Sequence, residues 1–180
     1  LDAEGTGNVV TIPRRIWLPA AGCNNATAGS IWDLPTSNPA VPACRTGTNT
    51  QKGVLDFADA ANLTASVIYM LPATWVGAVD ARVYWENSSA TLTNDVVWQI
   101  AIACASDGDS DDPAYTDDAF TADTVKGTAN LLNITAVNTV TTTGTCALDD
   151  LAHIRIRRDS AHASDTFANT ARLIGVELVI

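Results

Sequence analysis

The chain has 180 residues, a formal net charge of −10 at pH 7, and hydrophobic residue types at 47% of positions. That length bounds it to one domain with room for a full sandwich core. The acidic balance excludes nucleic acid as a partner, because phosphate binding needs a cationic surface, and it works against anionic membranes. No apolar run is long enough to insert into a bilayer as a helix.

Residues 1–7 are polar and contain glycine, which reads as a loose arm. Residues 8–18 read as a first strand or two, broken at Pro13. Residues 19–50 show no clean period and carry Pro19, Pro35, Pro39 and Pro42, so they read as a long loop that Trp32 and Leu34 anchor to the body. A loop of that length in a compact domain is functional, stapled or an interaction arm.

From residue 53 the pattern becomes strand-like. Residues 53–59 and 64–71 are short strands, followed by a turn through Trp75. In 79–86, Val79, Ala81, Val83 and Trp85 share one face, while Arg82, Tyr84 and Glu86 share the other. Residues 95–105 form the longest strand, with Val96, Trp98, Ile100, Ile102 and Cys104 on one face. The opposite face, Val97, Gln99, Ala101 and Ala103, is small and half polar, which predicts close packing on a neighbour.

An acidic insertion follows at 106–123, with room for one helical turn after Pro113. Strand character returns at 130–143 and 151–158. In the latter, Ile154 and Ile156 point inward, and His153, Arg155 and Arg157 outward. The last strand, 171–180, places Ile174, Val176, Leu178 and Ile180 on one face. An apolar strand of this kind must be paired inside a sheet.

The pattern predicts an all-β protein of eight or nine strands with at most one short helix. It is an antiparallel β-sandwich, of jelly-roll type as the commonest topology of this size. The organisation expected is an arm and first strand over 1–18, a Pro-rich stapled loop over 19–52 and a jelly-roll body over 53–180.

Four cysteines, Cys23, Cys44, Cys104 and Cys146, allow three pairings. None forms a CxxC pair and histidine is scarce, which argues against zinc. Cys23–Cys44 and Cys104–Cys146 are favoured. The first would staple the Pro-rich loop, and the second would tie a strand end to the turn before another strand. The alternative is that all four are free, buried and merely apolar. Disulfides would imply an oxidising, extracellular setting.

The turn containing Asp107, Asp109, Asp111 and Asp112 has the carboxylates a calcium ion would take, but no register supplies the Gly and Glu of an EF-hand loop. Its plain reading is a solvated acidic turn, and no cofactor other than calcium is expected. Arg155, Arg157 and Arg172 are candidates for a charged oligomer interface, against ordinary surface ion pairing. Ser160, His162 and Asp165 compose a triad only on paper, with no nucleophile context around them. The three glutamates offer no convincing glycosidase pair. Trp85 and Trp98 belong to the core. Trp32 and Trp75 could instead stack on sugar, although plugging the core edge is the commoner fate of a loop tryptophan. Asn25, Asn62, Asn87 and Asn133 each begin an N-glycosylation pattern, of a kind expected by chance in so Thr-rich a chain.

The stretches Asp80-Ala81-Arg82-Val83-Tyr84-Trp85, Val97-Trp98-Gln99, Asp111-Asp112-Pro113-Ala114 and Arg158-Asp159-Ser160-Ala161-His162-Ala163-Ser164-Asp165-Thr166 resemble small virion-associated proteins of tailed bacteriophages. The resemblance covers most of the chain but carries no catalytic signature. It implies a jelly-roll subunit of a fibre, tail or capsid decoration, often trimeric. The expectation is therefore a non-enzymatic structural subunit of a virion or other extracellular assembly. It would act as a homo-oligomer, a trimer on the family pattern, and would contact other assembly proteins. The rival expectation is a secreted carbohydrate-binding β-sandwich module, stabilised by calcium and binding glycan.

Overall fold

The computed structural model describes residues 14–24, 27–71, 78–90 and 93–180, and among them every regular element is a strand. The expected arm, Pro13 and Trp75 lie outside the described residues. In chain order the strands are β1 (Arg15–Pro19), β2 (Ala21–Asn24), β3 (Thr27–Ser30), β4 (Val41–Thr46), β5 (Gln51–Phe57), β6 (Thr64–Met70), β7 (Val79–Asn87) and β8 (Asp95–Val96). They continue with β9 (Trp98–Ala105), β10 (Asp118–Ala119), β11 (Asp123–Thr124), β12 (Leu132–Ile134), β13 (Asn138–Val140), β14 (Thr142–Thr143), β15 (Leu151–Arg158) and β16 (Ala171–Val179). Sixteen strands exceed the eight or nine expected because several are interrupted ladders of two or three residues. The helical turn expected after Pro113 is not formed. Among the described residues no helix is long and apolar enough to cross a membrane.

Two sheets form the body. The first runs β12–β7–β16–β5, with β13 also on β7, β1 on β16, and β2 and β4 on β5. The second runs β10–β9–β15–β6, with β14 on β9, and β8 and β11 extend it as a two-stranded ribbon. Of the long strands, β5, β7 and β16 lie in the first sheet and β6, β9 and β15 in the second, so among these six the chain changes sheet at every step except from β9 to β15. Each of these long pairings is antiparallel.

The core lies between the sheets and is centred on aromatic rings. Trp85 of β7 meets Trp98 of β9 with ring centroids 6.2 Å apart, and Phe57 of β5 meets Trp98 at 5.1 Å. Both contacts are edge-on, the arrangement that the charge distribution of aromatic rings favours. Phe167, from the connection before β16, tilts against Trp85 at 6.4 Å.

The final strand is the centre of the first sheet, paired with β7 on one side and with β5 and then β1 on the other. Its inward set differs from the simple alternation. A bulge falls between Leu173, opposite Trp85, and Gly175, opposite Tyr84. The extra residue, Ile174, is only half-buried, and the shift puts Ala171 and Leu173 on the same side as Val176 and Leu178.

Residues 95–105 form two strands rather than one. Val97 leaves the ladder because its N–H donates to Asp165 Oδ2 (3.0 Å) and its carbonyl accepts from Asp159 N (2.9 Å). The Pro-rich stretch is also partly ordered as strands. The β2–β3 hairpin and β4 flank β5, and Cys23–Cys44 joins β2 to β4. Asp33 and Pro39 make isolated bridges to Ser66 and Thr64 at the edge of β6. Cys104–Cys146 joins β9 to the turn after β14, so both favoured disulfides are formed.

Candidate functional site

The outer face of the first sheet carries the densest chemistry. It follows from β7, whose inward Ala81, Val83 and Trp85 leave Arg82, Tyr84 and Glu86 facing away from the core. Glu86 is nonetheless buried, because cations cover it. Lys52 Nζ lies 2.6 Å from Oε2, Arg45 Nε 3.3 Å from Oε1 and Arg172 Nη1 3.8 Å from Oε1. These side chains come from β5, β4 and β16. Asn130 Oδ1 accepts from both Arg45 Nη2 (2.7 Å) and Arg172 Nη1 (2.9 Å). Asp56 is 3.6 Å from Arg172 Nε. Burial raises the Asp56 carboxyl above its ordinary range, and the positive charges of Arg172 and Arg45 only partly oppose it. A hollow of about 230 Å³ opens here, lined by Arg45, Lys52, Glu86 and Asn130 with Thr46 and Thr50 of the β4–β5 hairpin.

Further along the same face, Trp17 lies over Gly175. A Cβ at Gly175 would collide with the indole and come within 2.8 Å of Leu18 O, so only glycine leaves room for this ring. Tyr84 meets Trp17 edge-on at 5.1 Å. Glu177, buried, takes Arg15 Nη1 at 2.6 Å and the Tyr84 hydroxyl at 3.1 Å. Trp17 itself remains 48% exposed. Beside it a second hollow, about 190 Å³, is lined by Arg15, Asp80, Arg82, Val137 and Glu177.

The candidate residues read from sequence are placed as follows. Arg155 and Arg157 both engage Asp117 of the same chain, at 2.8 and 3.2 Å, and Arg155 stacks on Tyr115 at 4.4 Å. Gln99 Oε1 accepts from Arg157 Nε at 2.6 Å, and the acidic insertion adds β10 to the edge of β9, with Ala119 opposite Gln99. Arg172 belongs to the Glu86 cluster. Asp107, Asp109, Asp111 and Asp112 lie on an exposed turn, where Asp109 Oδ2 caps Ser106 N at 3.0 Å. Among the described residues no three acidic, histidine or cysteine side chains come together as a metal would require. Trp32 is buried, with its indole N–H donating to Pro19 O at 2.9 Å, so it plugs the core edge and is not available for stacking on sugar.

Ser160, His162 and Asp165 do not form a relay. Ser160 Oγ hydrogen-bonds Asn62 Oδ1, His162 Nδ1 accepts from Ser164 N, and Asp165 is consumed by Arg158. Two glycosylation patterns fall on structural asparagines. Asn87 and Asn133 are fully buried and bonded to each other, and Asn87 Nδ2 also donates to the carbonyls of Ser89, Lys126 and Thr128.

Sequence reasoning missed the Glu86 cluster and Trp17. The scarcity of lysine around Lys52 and the outward run Arg82-Tyr84-Glu86 were visible, but the partners come from β4, β16 and residue 130, far apart in sequence. A scan of the chain against models of known protein families finds no match, and a search of curated proteins finds none either.

Proposed function

We propose that the chain is a non-enzymatic structural subunit of a virion or other extracellular assembly, acting through self-association. The observation that carries this reading is apolar side chains standing outward on both sheets. On the second sheet Met70 is 64% exposed and pairs across strands with an exposed Leu151, with exposed Ile68 two residues along the same face. On the first, Leu132 and Ile134 are exposed on β12, opposite Glu86 and Tyr84. Clustered outward apolar groups on a strand surface mark interaction sites.

The strand order supports a jelly-roll reading: β5–β16–β7–β12 in one sheet faces β6–β15–β9–β10 in the other, with the terminal strand enclosed. The two disulfides are compatible with an extracellular setting. The resemblance to phage virion proteins points the same way. Light scattering on the purified chain over a range of concentrations, with and without reductant, tests the reading. A stable trimer or larger assembly is expected, and a monomer throughout would refute it.

Trp17 favours a second reading, a carbohydrate-binding module. An exposed indole seated over Gly175 and against Tyr84, with Arg15, Arg82 and Glu177 beside it, is a platform on which a sugar ring can stack.

A further inference from the structure

The hollow at the β4–β5 hairpin holds more positive charge than Glu86 requires. Arg45, Lys52 and Arg172 face two acids, Glu86 and Asp56, which leaves one uncompensated positive charge in a chain of net charge −10. Arg45 and Lys52 bring that charge to the surface, with side chains 34% and 41% exposed. Arg172 Nε is turned to Asp56, 3.6 Å away. Arg172 stands behind this wall, its Nη1 donating to Asn130 Oδ1 at 2.9 Å, and it does not line the hollow.

The other walls are preset donors. Asn130 sits at φ 65°, its N–H tied to Asn87 O at 2.8 Å. Because both guanidinium groups bond its Oδ1, the amide is oriented and its Nδ2 hydrogens remain to donate. Thr46 and Thr50 add hydroxyls. At about 230 Å³ the hollow is smaller than the roughly 300–1,000 Å³ of sites for drug-sized ligands, which limits the occupant to about one sugar ring. A single excess charge suits a monoanion better than a phosphate dianion, and the guanidinium fork matches a planar carboxylate.

We propose that this hollow binds the carboxylate of a sugar acid, with Arg45 and Lys52 on the carboxylate and Asn130, Thr46 and Thr50 on ring hydroxyls. The sugar half deepens the glycan-binding reading, whereas the anion seat stands without it. The test is titration of the 15N-labelled chain with D-glucuronate, acetate, D-glucose and inorganic phosphate, following amide shifts of residues 45–52 and 130. Saturable shifts are expected with glucuronate, weaker ones with acetate and none with glucose. R45Q should weaken glucuronate tenfold or more. T50V, which keeps every charge, should weaken glucuronate several-fold and leave acetate unchanged. Equal response to glucose and glucuronate would overturn the anion seat while leaving a glycan site in place. Equal affinity for acetate and glucuronate would overturn the sugar half. Tighter binding of phosphate, no response to any probe, or undiminished binding by R45Q with an otherwise native spectrum would overturn the proposal.

Discussion

Replacing Arg158 should remove a large share of the stability of this fold. Its side chain is fully buried on β15, yet every nitrogen is engaged. Nε and Nη2 donate to the two carboxylate oxygens of the equally buried Asp165 at 3.0 and 2.7 Å. Nη1 donates to Phe57 O (3.2 Å) and Asn169 O (2.6 Å), and Nη2 also reaches Phe167 O and Asp59. This one guanidinium therefore ties β5 and the 159–170 connection to the second sheet. R158M keeps much of the volume but leaves Asp165 charged and buried with only Val97 N as partner. Removing one member of a buried pair costs about 3–5 kcal/mol. Against a typical domain stability of about 5–15 kcal/mol, that is a major loss.

Urea unfolding followed by fluorescence of the buried Trp85 and Trp98, with disulfides intact, measures it. The double variant R158M/D165L should lose less than R158M alone, because it removes the orphaned charge as well. A loss below about 1 kcal/mol for R158M, or a double variant that loses as much as R158M alone or more, would refute the assignment of Arg158 as the organising charge.

Replacing Cys23 and Cys44 together by alanine should cost about 3 kcal/mol and replacing Cys104 and Cys146 about 4 kcal/mol on loop-closure grounds, given separations of 21 and 42 residues; thermal denaturation of the two variants reads the order. G175A should destabilise by about 1–3 kcal/mol and lower the protection of Trp17 from quenchers, because the indole must leave its seat. Asp123 accepts from Trp85 Nε1 at 2.7 Å, but burial outweighs that bond and raises its carboxyl above the ordinary 3.8. A raised carboxyl makes its favourable contribution below 3.8 and loses it as pH rises through the folded value. D123N should therefore match the parent near pH 3 and melt at a higher temperature at pH 7; an unchanged or lower melting temperature at pH 7 would contradict this.

Much of the fold was legible because burial on one side imposes a period of two. In β7 and β15 the inward and outward sets fall where the alternation puts them. The failures have local physical causes. Ile174 is a bulge, which no periodicity announces, and it shifted the inward set of β16 by one residue. Val97 breaks a continuous apolar run because Asp165 and Asp159, over sixty residues away, take its backbone groups. In β2, β3 and β4 small residues, proline and a disulfide replace the apolar alternation that sequence reasoning needs. The outer-face sites were hidden for a related reason. Glu86, Arg45, Lys52, Arg172 and Asn130 meet only through strand order, and Trp17 becomes a platform only because Gly175 lies beneath it. The disulfide pairing could be read because each bridge joins cysteines adjacent in sequence order, Cys23 to Cys44 across the Pro-rich stretch and Cys104 at a strand end to Cys146.

We propose that the outward apolar strands hold copies of this chain together. Sedimentation equilibrium of the parent and of the double variant I68D/M70D tests it most directly. A parent mass that is a multiple of the 18.9 kDa chain is expected, with the variant shifted towards monomer at an unchanged melting temperature. A parent that sediments as a monomer at every concentration would contradict it.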